Sequence, residues 1–404
     1  MSTKKIVLAI MAGAALSMSL WGAPVARAQY TVNTLASFDG SNGEYPVAGL
    51  TLSGNTLYGT TSYGGANSSG AVFSVPLNGG TPTVLASFDG TNGFSPYAGL
   101  TLSGNTLYGT TYSGGDGNSG TVFSVPVTGG TPTVLTLFDG STLFRTYGGL
   151  TLSGNTLYGT TFSGGAGSYG TVFSLPLTGG TPTVLASFSY SNGEFPEAGL
   201  TLSGNTLYGT TVQGGAGSYG TVFSVPVTGG TPTALAAFQF NNGARSVADL
   251  ILSGNMLYGT TSSGGAHSYG EVFSVPVTGG TPTVLASFNT SDGDGPVAGL
   301  TLSGNTLYGT TEYGGAYGDG VVFSLPLTGG TPTVLASFNG SNGNLPCAGL
   351  TLSGNMLYGT TEYGGANGDG EVFSLVLPEP TSASILAVGS LVLLRRRNRS
   401  RQRA

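Results

Sequence analysis

One fifty-residue unit occurs seven times between residues 29 and 378, and no insertion or deletion disturbs its register. A chain built this way must stack or close its copies, because one small unit cannot bury its own apolar face. Each copy carries four short apolar runs, which in the first are residues 49–53, 56–61, 71–75 and 83–88. They are rich in Val, Leu, Thr, Tyr and Phe and are bounded by Gly, Asn and Pro, the signature of strands. No window holds a helical period long enough to compete. The runs are labelled A, B, C and D.

The turns specify the pairing. Only Gly54 and Asn55 separate A from B, a two-residue hairpin loop with glycine where a positive φ is required. Residues 76–82 reverse the chain between C and D, and Pro82 at the start of D removes a backbone donor, which suits an outer edge strand. Each copy is therefore an antiparallel four-stranded meander with A innermost and D outermost. Seven meanders at fixed spacing predict an all-β, seven-bladed β-propeller. The competing architecture is a β-solenoid, but solenoid coils stack parallel strands and have no use for a recurrent Gly-Asn hairpin. The phase of the repeat predicts how the ring closes. Residues 31–38 match strand D and residues 371–375 match strand C. An N-terminal outer strand would thus complete the last blade and leave no large unpaired edge.

Composition supports this frame. Glycine supplies 73 of 404 residues, yet there is no every-third-residue period of a collagen, and 39 % apolar residues in regular clusters argue against a disordered linker. The single cysteine, Cys347, excludes a disulfide framework and cysteine-based zinc sites. The single histidine, His267, excludes multi-histidine metal centres; its counterparts in the other copies are Asn, Gly or Tyr. The seven phenylalanines at Phe73 and its equivalents (Phe123, Phe173, Phe223, Phe273, Phe323 and Phe373) read as one ring of packing residues. Gly59 and its equivalents sit mid-strand, where close approach of a neighbouring blade or backbone is the expected compensation.

The chain divides into residues 1–28, 29–377 and 378–404. The first segment reads as a secretory signal: Lys4 and Lys5, an apolar stretch over 6–20, and a small-x-small site that places cleavage between Ala28 and Gln29. The last opens with Pro378, Glu379 and Pro380, continues as an apolar run over 381–394, and ends in arginines that include Arg395, Arg396 and Arg397. Fourteen residues of helix reach about 21 Å, short of a ~30 Å hydrocarbon core. This order of parts resembles the PEP-CTERM sorting signal. The resemblance implies export in a Gram-negative bacterium and recognition by an exosortase-like membrane transpeptidase. Any membrane contact would then run through the tail before processing, and display would be at the cell envelope or in extracellular polymer. The repeat itself, with residues 55–61, Gly64-Gly65 and 70–73 in the first copy, resembles the GloVer tandem repeat and more distantly Kelch repeats. That resemblance implies an exported repeat protein and no defined activity.

Variation among the copies concentrates in the D–A loops, such as 89–97, and the B–C loops, such as 62–69, which in a propeller open on one face. Residues 29–378 hold sixteen acids against two arginines, Arg145 and Arg245, a net charge of −14. All sixteen fall in or beside these two loop classes, Asp249, Glu271 and Glu371 among them. An acidic face excludes nucleic acid and anionic membranes as partners. The same face carries Tyr45, Tyr63, Tyr97, Tyr112, Phe162, Tyr313 and Tyr363. Aromatic rings beside carboxylates and amides suit sugars, exopolysaccharide included, by supplying a flat platform and hydroxyl acceptors. The functional expectation is a non-catalytic structural or adhesive protein with weak multivalent glycan contacts and no cofactor. The alternative is a propeller enzyme acting on polysaccharide through loop carboxylates such as Glu194 and Glu197. Calcium is a secondary expectation at Asp292 with Asp294 and at Asp39 with Glu44, where oxygen ligands crowd glycine-permitted turns without matching an EF-hand.

Overall fold

The computed structural model describes residues 30–377. Both terminal segments read from the sequence, with Ala28, Gln29, Pro378, Glu379, Pro380 and the terminal arginines, lie outside the described residues. Among the described residues no helix is long and apolar enough to cross a membrane.

Seven four-stranded antiparallel sheets form the blades of a β-propeller, and the solenoid alternative falls with them. In the first blade the strands are A (Thr51–Ser53), B (Thr56–Thr61), C (Ala71–Pro76) and D (Thr83–Ser87). Gly54 has φ 57° with nothing within 4 Å of a Cβ built on it, as the first central position of a tight hairpin requires. The last blade holds Thr351–Ser353, Met356–Thr361 and Glu371–Val376, and its outer strand is the N-terminal Val32–Ser37. The N-terminal strand therefore closes the ring as the phase of the repeat requires.

The core lies between blades. One cluster joins Tyr58, Val72, Ala86 and Phe88 of the first blade to Leu100, Leu107, Phe123 and Val125 of the second, and six more repeat the arrangement around the ring. Successive residues of a strand point to opposite faces, so Leu57 packs toward the preceding blade and Tyr58 toward the following one. The Phe73 ring is fully buried. A second ring, unmarked in the sequence, meets it edge to face: Phe38 lies 4.9 Å from Phe73 and Phe88 lies 4.8 Å from Phe123.

These rings correct the expectation for Gly59. A Cβ there would stand 2.5 Å from Cζ of Phe73, its cross-strand partner in the same blade. The glycine makes room for an aromatic ring within its own sheet, and no neighbouring blade or backbone is the cause.

The outer rim has its own seam. A bulge in every strand D leaves a leucine out of register with strand C, as Leu85 is between Val84 and Ala86. Its carbonyl accepts the amide of Gly130 in the next blade at 2.9 Å, and Leu35 accepts Gly80 in the same way. At the closing blade the amide of Tyr30 donates to Leu335 at 2.8 Å, so the first described residue takes over the bond that a Gly80 equivalent makes elsewhere.

Candidate functional site

The variable loops are joined by backbone rather than left as free excursions. Each D–A loop pairs with the B–C loop of the blade it enters, as Glu44 does with Tyr63 and Phe94 with Ser113. The next residue reaches back to the preceding blade: the amide of Tyr45 donates to Asp369, that of Ser95 to Ser69 and that of Arg145 to Ser119. A continuous belt of main-chain hydrogen bonds thus rings the face. It holds position 45 and its equivalents in the left-handed region whatever the side chain, with φ 57° at Tyr45, 58° at Arg145 and Phe195, and 55° at Leu345. Six of these seven residues are not glycine. Backbone in this region is costly for most side chains and persists where the surroundings impose it.

The aromatic residues gather into two arcs. In the first, Tyr45 lies 4.9 Å from Tyr363 and 5.9 Å from Tyr63, which lies 5.7 Å from Phe94. In the second, Tyr97, Tyr112, Tyr147, Phe162 and Phe195 follow one another at 4.8–5.6 Å. Arg145 is committed to this arc, donating to the Tyr112 hydroxyl at 2.6 Å and lying 4.7 Å from the centroids of Tyr112 and Phe144. Tyr313 joins neither arc and stands 48 % exposed. The rings are therefore partly spent on one another; of those singled out in the sequence Tyr63, Tyr313 and Tyr363 present the most surface, while Tyr317 and Tyr190, not singled out there, are more exposed still.

The acids are less uniform than their loop positions suggest. Glu271 and Glu371 begin strand C and are buried, so they are not solvated loop charges. Glu371 accepts the Thr34 hydroxyl at 2.9 Å, and burial holds its carboxyl up at about 7. Glu271 accepts Ser287 at 2.8 Å and is raised by the same cause. Each keeps one oxygen without a hydrogen-bond partner. Glu312, just past strand B of the sixth blade, is raised to about 7 by burial and then by the charges of Glu362 and Asp294. Glu194 is buried and raised, so it and Glu197 do not form an exposed acid–base pair.

The calcium candidates are occupied as turn acceptors. Asp292 takes the amide and side-chain nitrogen of Asn289 at 2.8 and 2.7 Å, and Asp39 takes Ser41 and Asn42 at 2.8 and 3.0 Å. Asp294 and Glu44 use their backbones to pair with Tyr313 and Tyr63. Among the described residues no three His, Cys, Asp or Glu side chains converge as a metal site.

Sequence reasoning missed the axial channel. The approach to strand A alternates between half-exposed residues at 47, 49 and 51 and buried ones at 48 and 50. The channel, about 370 Å³, is lined by these segments from the seven blades. Its middle ring is glycine in six blades and Asp249 in the fifth. Asp249 is thus an axial group and no part of the loop face, contrary to its expected place among the loop acids. Its signal was readable as the one Ala-Asp-Leu where the other copies have Ala-Gly-Leu or Gly-Gly-Leu. Cys347 lines the same channel half-buried, and burial raises its thiol. His267 sits exposed in a B–C loop.

A family model described as the Gloeobacter/Verrucomicrobia repeat matches residues 24–223 and 206–388. None of the curated proteins matches the chain. Among solved structures, it is similar to the extracellular domain of a B. thetaiotaomicron protein assigned as a hybrid two component system, with 12 % identity, TM-score 0.56 and 87 % of this chain covered. This chain spans 40 % of that protein's length. It is also similar to the quinohemoprotein alcohol dehydrogenase of Comamonas testosteroni, with 11 % identity, TM-score 0.52, and 87 % and 77 % of the two chains covered. A third neighbour is the GH74 enzyme of Niastella koreensis, with 18 % identity, TM-score 0.50, and 75 % and 46 % covered. At these identities the likeness shows the propeller fold alone.

Proposed function

The chain belongs to the Gloeobacter/Verrucomicrobia repeat family, and from that premise we propose a non-catalytic, exported repeat protein whose loop face binds glycans weakly at several points. The observation that supports this reading is the pair of aromatic arcs on one hydrogen-bonded belt, with Tyr63, Tyr313 and Tyr363 exposed beside acids and amides. Rings stack on sugar faces, and carboxylates and amides accept hydroxyl hydrogens. Several weak contacts on one rigid disc raise avidity when a polymer engages them together. Export through residues 1–28 and sorting through Pro378, Glu379, Pro380 and the arginine cluster by an exosortase-like enzyme complete the reading. The mass of the mature protein from native cells reports both cleavages.

Screening the protein against exopolysaccharide fragments tests the binding claim. Binding without turnover, weakened several-fold by Tyr63→Ala with Tyr363→Ala, is the expected outcome. The absence of binding to any glycan would remove the adhesive role and leave a structural one. A second reading, hydrolysis of polysaccharide by loop carboxylates, is favoured by Glu312 alone, held near neutral beside Glu362 as a general acid requires. Product formation abolished by Glu312→Gln would replace the first reading with the second.

A further inference from the structure

Three stacked rings of residues line the axial channel, one from each position that faces it. The ring at position 51 is threonine in six blades, and these hydroxyls are consumed by the structure: Thr51 donates to the Leu100 carbonyl and Thr351 to that of Leu50, the latter at 2.6 Å. The ring at position 49 offers backbone and one side chain, Asp249. The ring at position 47, nearer the loop face, contributes Tyr97, Tyr147 and Glu197 to the lining.

Asp249 is anchored by one hydrogen bond and has no cation beside it, and burial in the channel wall raises its carboxyl against the lowering effect of that bond. Its Oδ1 accepts the amide of Gly199 in the preceding blade at 2.6 Å, which fixes the carboxylate across the seam between two inner strands. Its other oxygen takes no hydrogen bond among the described residues, and the side chain keeps solvent contact within the channel. The described domain has two basic side chains, and neither answers it. Arg145 is stacked on Tyr112 and Phe144, and Arg245 is exposed on its loop, where its charge acts on Glu197. A carboxylate among apolar and glycine positions stays ionised only at a cost, which its raised carboxyl reflects and which a cation seated on it would offset.

We propose that the axial channel is a binding site for a protonated organic amine, seated on Asp249 and flanked by Tyr97, Tyr147 and Glu197. The lining selects this class. Asp249 and Glu197 together give a metal ion too few ligands, and no three metal-binding side chains converge among the described residues. An ammonium group needs one charged acceptor and tolerates aromatic neighbours, which attract it through their faces. Tyr97 and Tyr147 lie 5.7 Å apart at the mouth, and the volume of about 370 Å³ suits a short aliphatic amine. The site shares Tyr97 and Tyr147 with the second arc but centres on Asp249 in the channel and leaves Tyr63, Tyr313 and Tyr363 untouched, so Asp249→Gly tests it apart from the glycan reading.

Calorimetric titration of the full chain with 1,5-diaminopentane tests it, with 1-pentanol and calcium chloride as further probes. Asp249→Gly restores the glycine that six blades carry, so the fold is retained. The expected result is binding of the diamine, weakened at least about tenfold by Asp249→Gly and unchanged by Asp116→Asn on the loop face, with none of the alcohol. Equal loss in both variants would mean general attraction to an acidic surface and overturn the site. So would absent diamine binding, or calcium binding that Asp249→Gly removes.

Discussion

The two ends of the disc are made from the same strands and obey opposite rules. At one end lie the A–B and C–D turns, joined by the amide of Leu77 donating to Asn55 at 2.9 Å and free of charged residues in every copy. Here residue identity itself directs the folding, because Gly54 and Gly79 have positive φ and Gly79 leaves no room for a Cβ beside the Leu35 carbonyl. At the other end lies the belt, where main-chain hydrogen bonds fix the path and side chains vary from Ser95 to Arg145 to Phe195 at one backbone position. Sequence uniformity marks the places where a side chain is structural. Variability marks a backbone secured by other means, and so a surface free to acquire partners.

The strongest way to break this contrast is to open the ring. Removing residues 29–38 deletes the outer strand of the last blade, with Val32, Ala36 and Phe38 buried in it and the seam bond from Tyr30 to Leu335. Burial of Val and Phe contributes about 1.5–3 kcal/mol each, and the exposed edge of Glu371–Val376 adds to the loss. A destabilisation of roughly 5 kcal/mol or more is expected in denaturant titration. Both ends should lose order together in hydrogen exchange. If only the loop face did, the belt would be holding the blades less than its hydrogen bonds imply.

The same contrast explains what could be read in the chain. Blade number, strand order, the inner place of A and the closing strand all follow from turn chemistry and phase, which are local properties repeated seven times. The pairing of Phe38 with Phe73 and the bulge at Leu85 are products of neighbouring blades, and no single repeat displays them. Asp249, Glu271 and Glu371 read as loop charges in the sequence because each lies within a residue or two of a loop. Which side of a strand they take depends on a register that alternates at every residue. The distance between a solvated acid and a buried one was one position.

Glu371 sharpens the comparison, since it lies at the variable end yet behaves as a core group. Its ordinary value is 4.5 and burial holds it at about 7 in the folded chain. Between those values the folded state keeps a proton that the unfolded state releases. The group's stability contribution is therefore fully present below pH 4.5 and is lost as pH rises through 7. The shift corresponds to about 3 kcal/mol. Glu371→Gln stays neutral and keeps an acceptor for Thr34, so the variant should match the parent in acid and exceed it in stability above neutrality. A slope of the same sign should remain from Glu312 and Glu271, both raised by burial. Parallel stability curves for parent and variant between pH 4 and 8 would mean that Glu371 does not titrate inside the closing blade.

The smallest expected effect tests the belt itself. Ser95 is buried and held at φ 52° by the bonds its amide and carbonyl make to Ser69 and Tyr112. One blade already has glycine at this position, Gly295 with φ 65°. If the main chain alone sets the path, Ser95→Gly removes the steric cost of a left-handed Cβ without disturbing either bond. That cost is about 1–2 kcal/mol, offset in part by the greater freedom of glycine in the unfolded chain. A net gain of about 0.5–1 kcal/mol is therefore expected, with glycan binding unchanged. A loss of stability would show that the serine side chain helps hold the left-handed turn. The belt would then share the rule of the opposite end, where residue identity and fold cannot be separated.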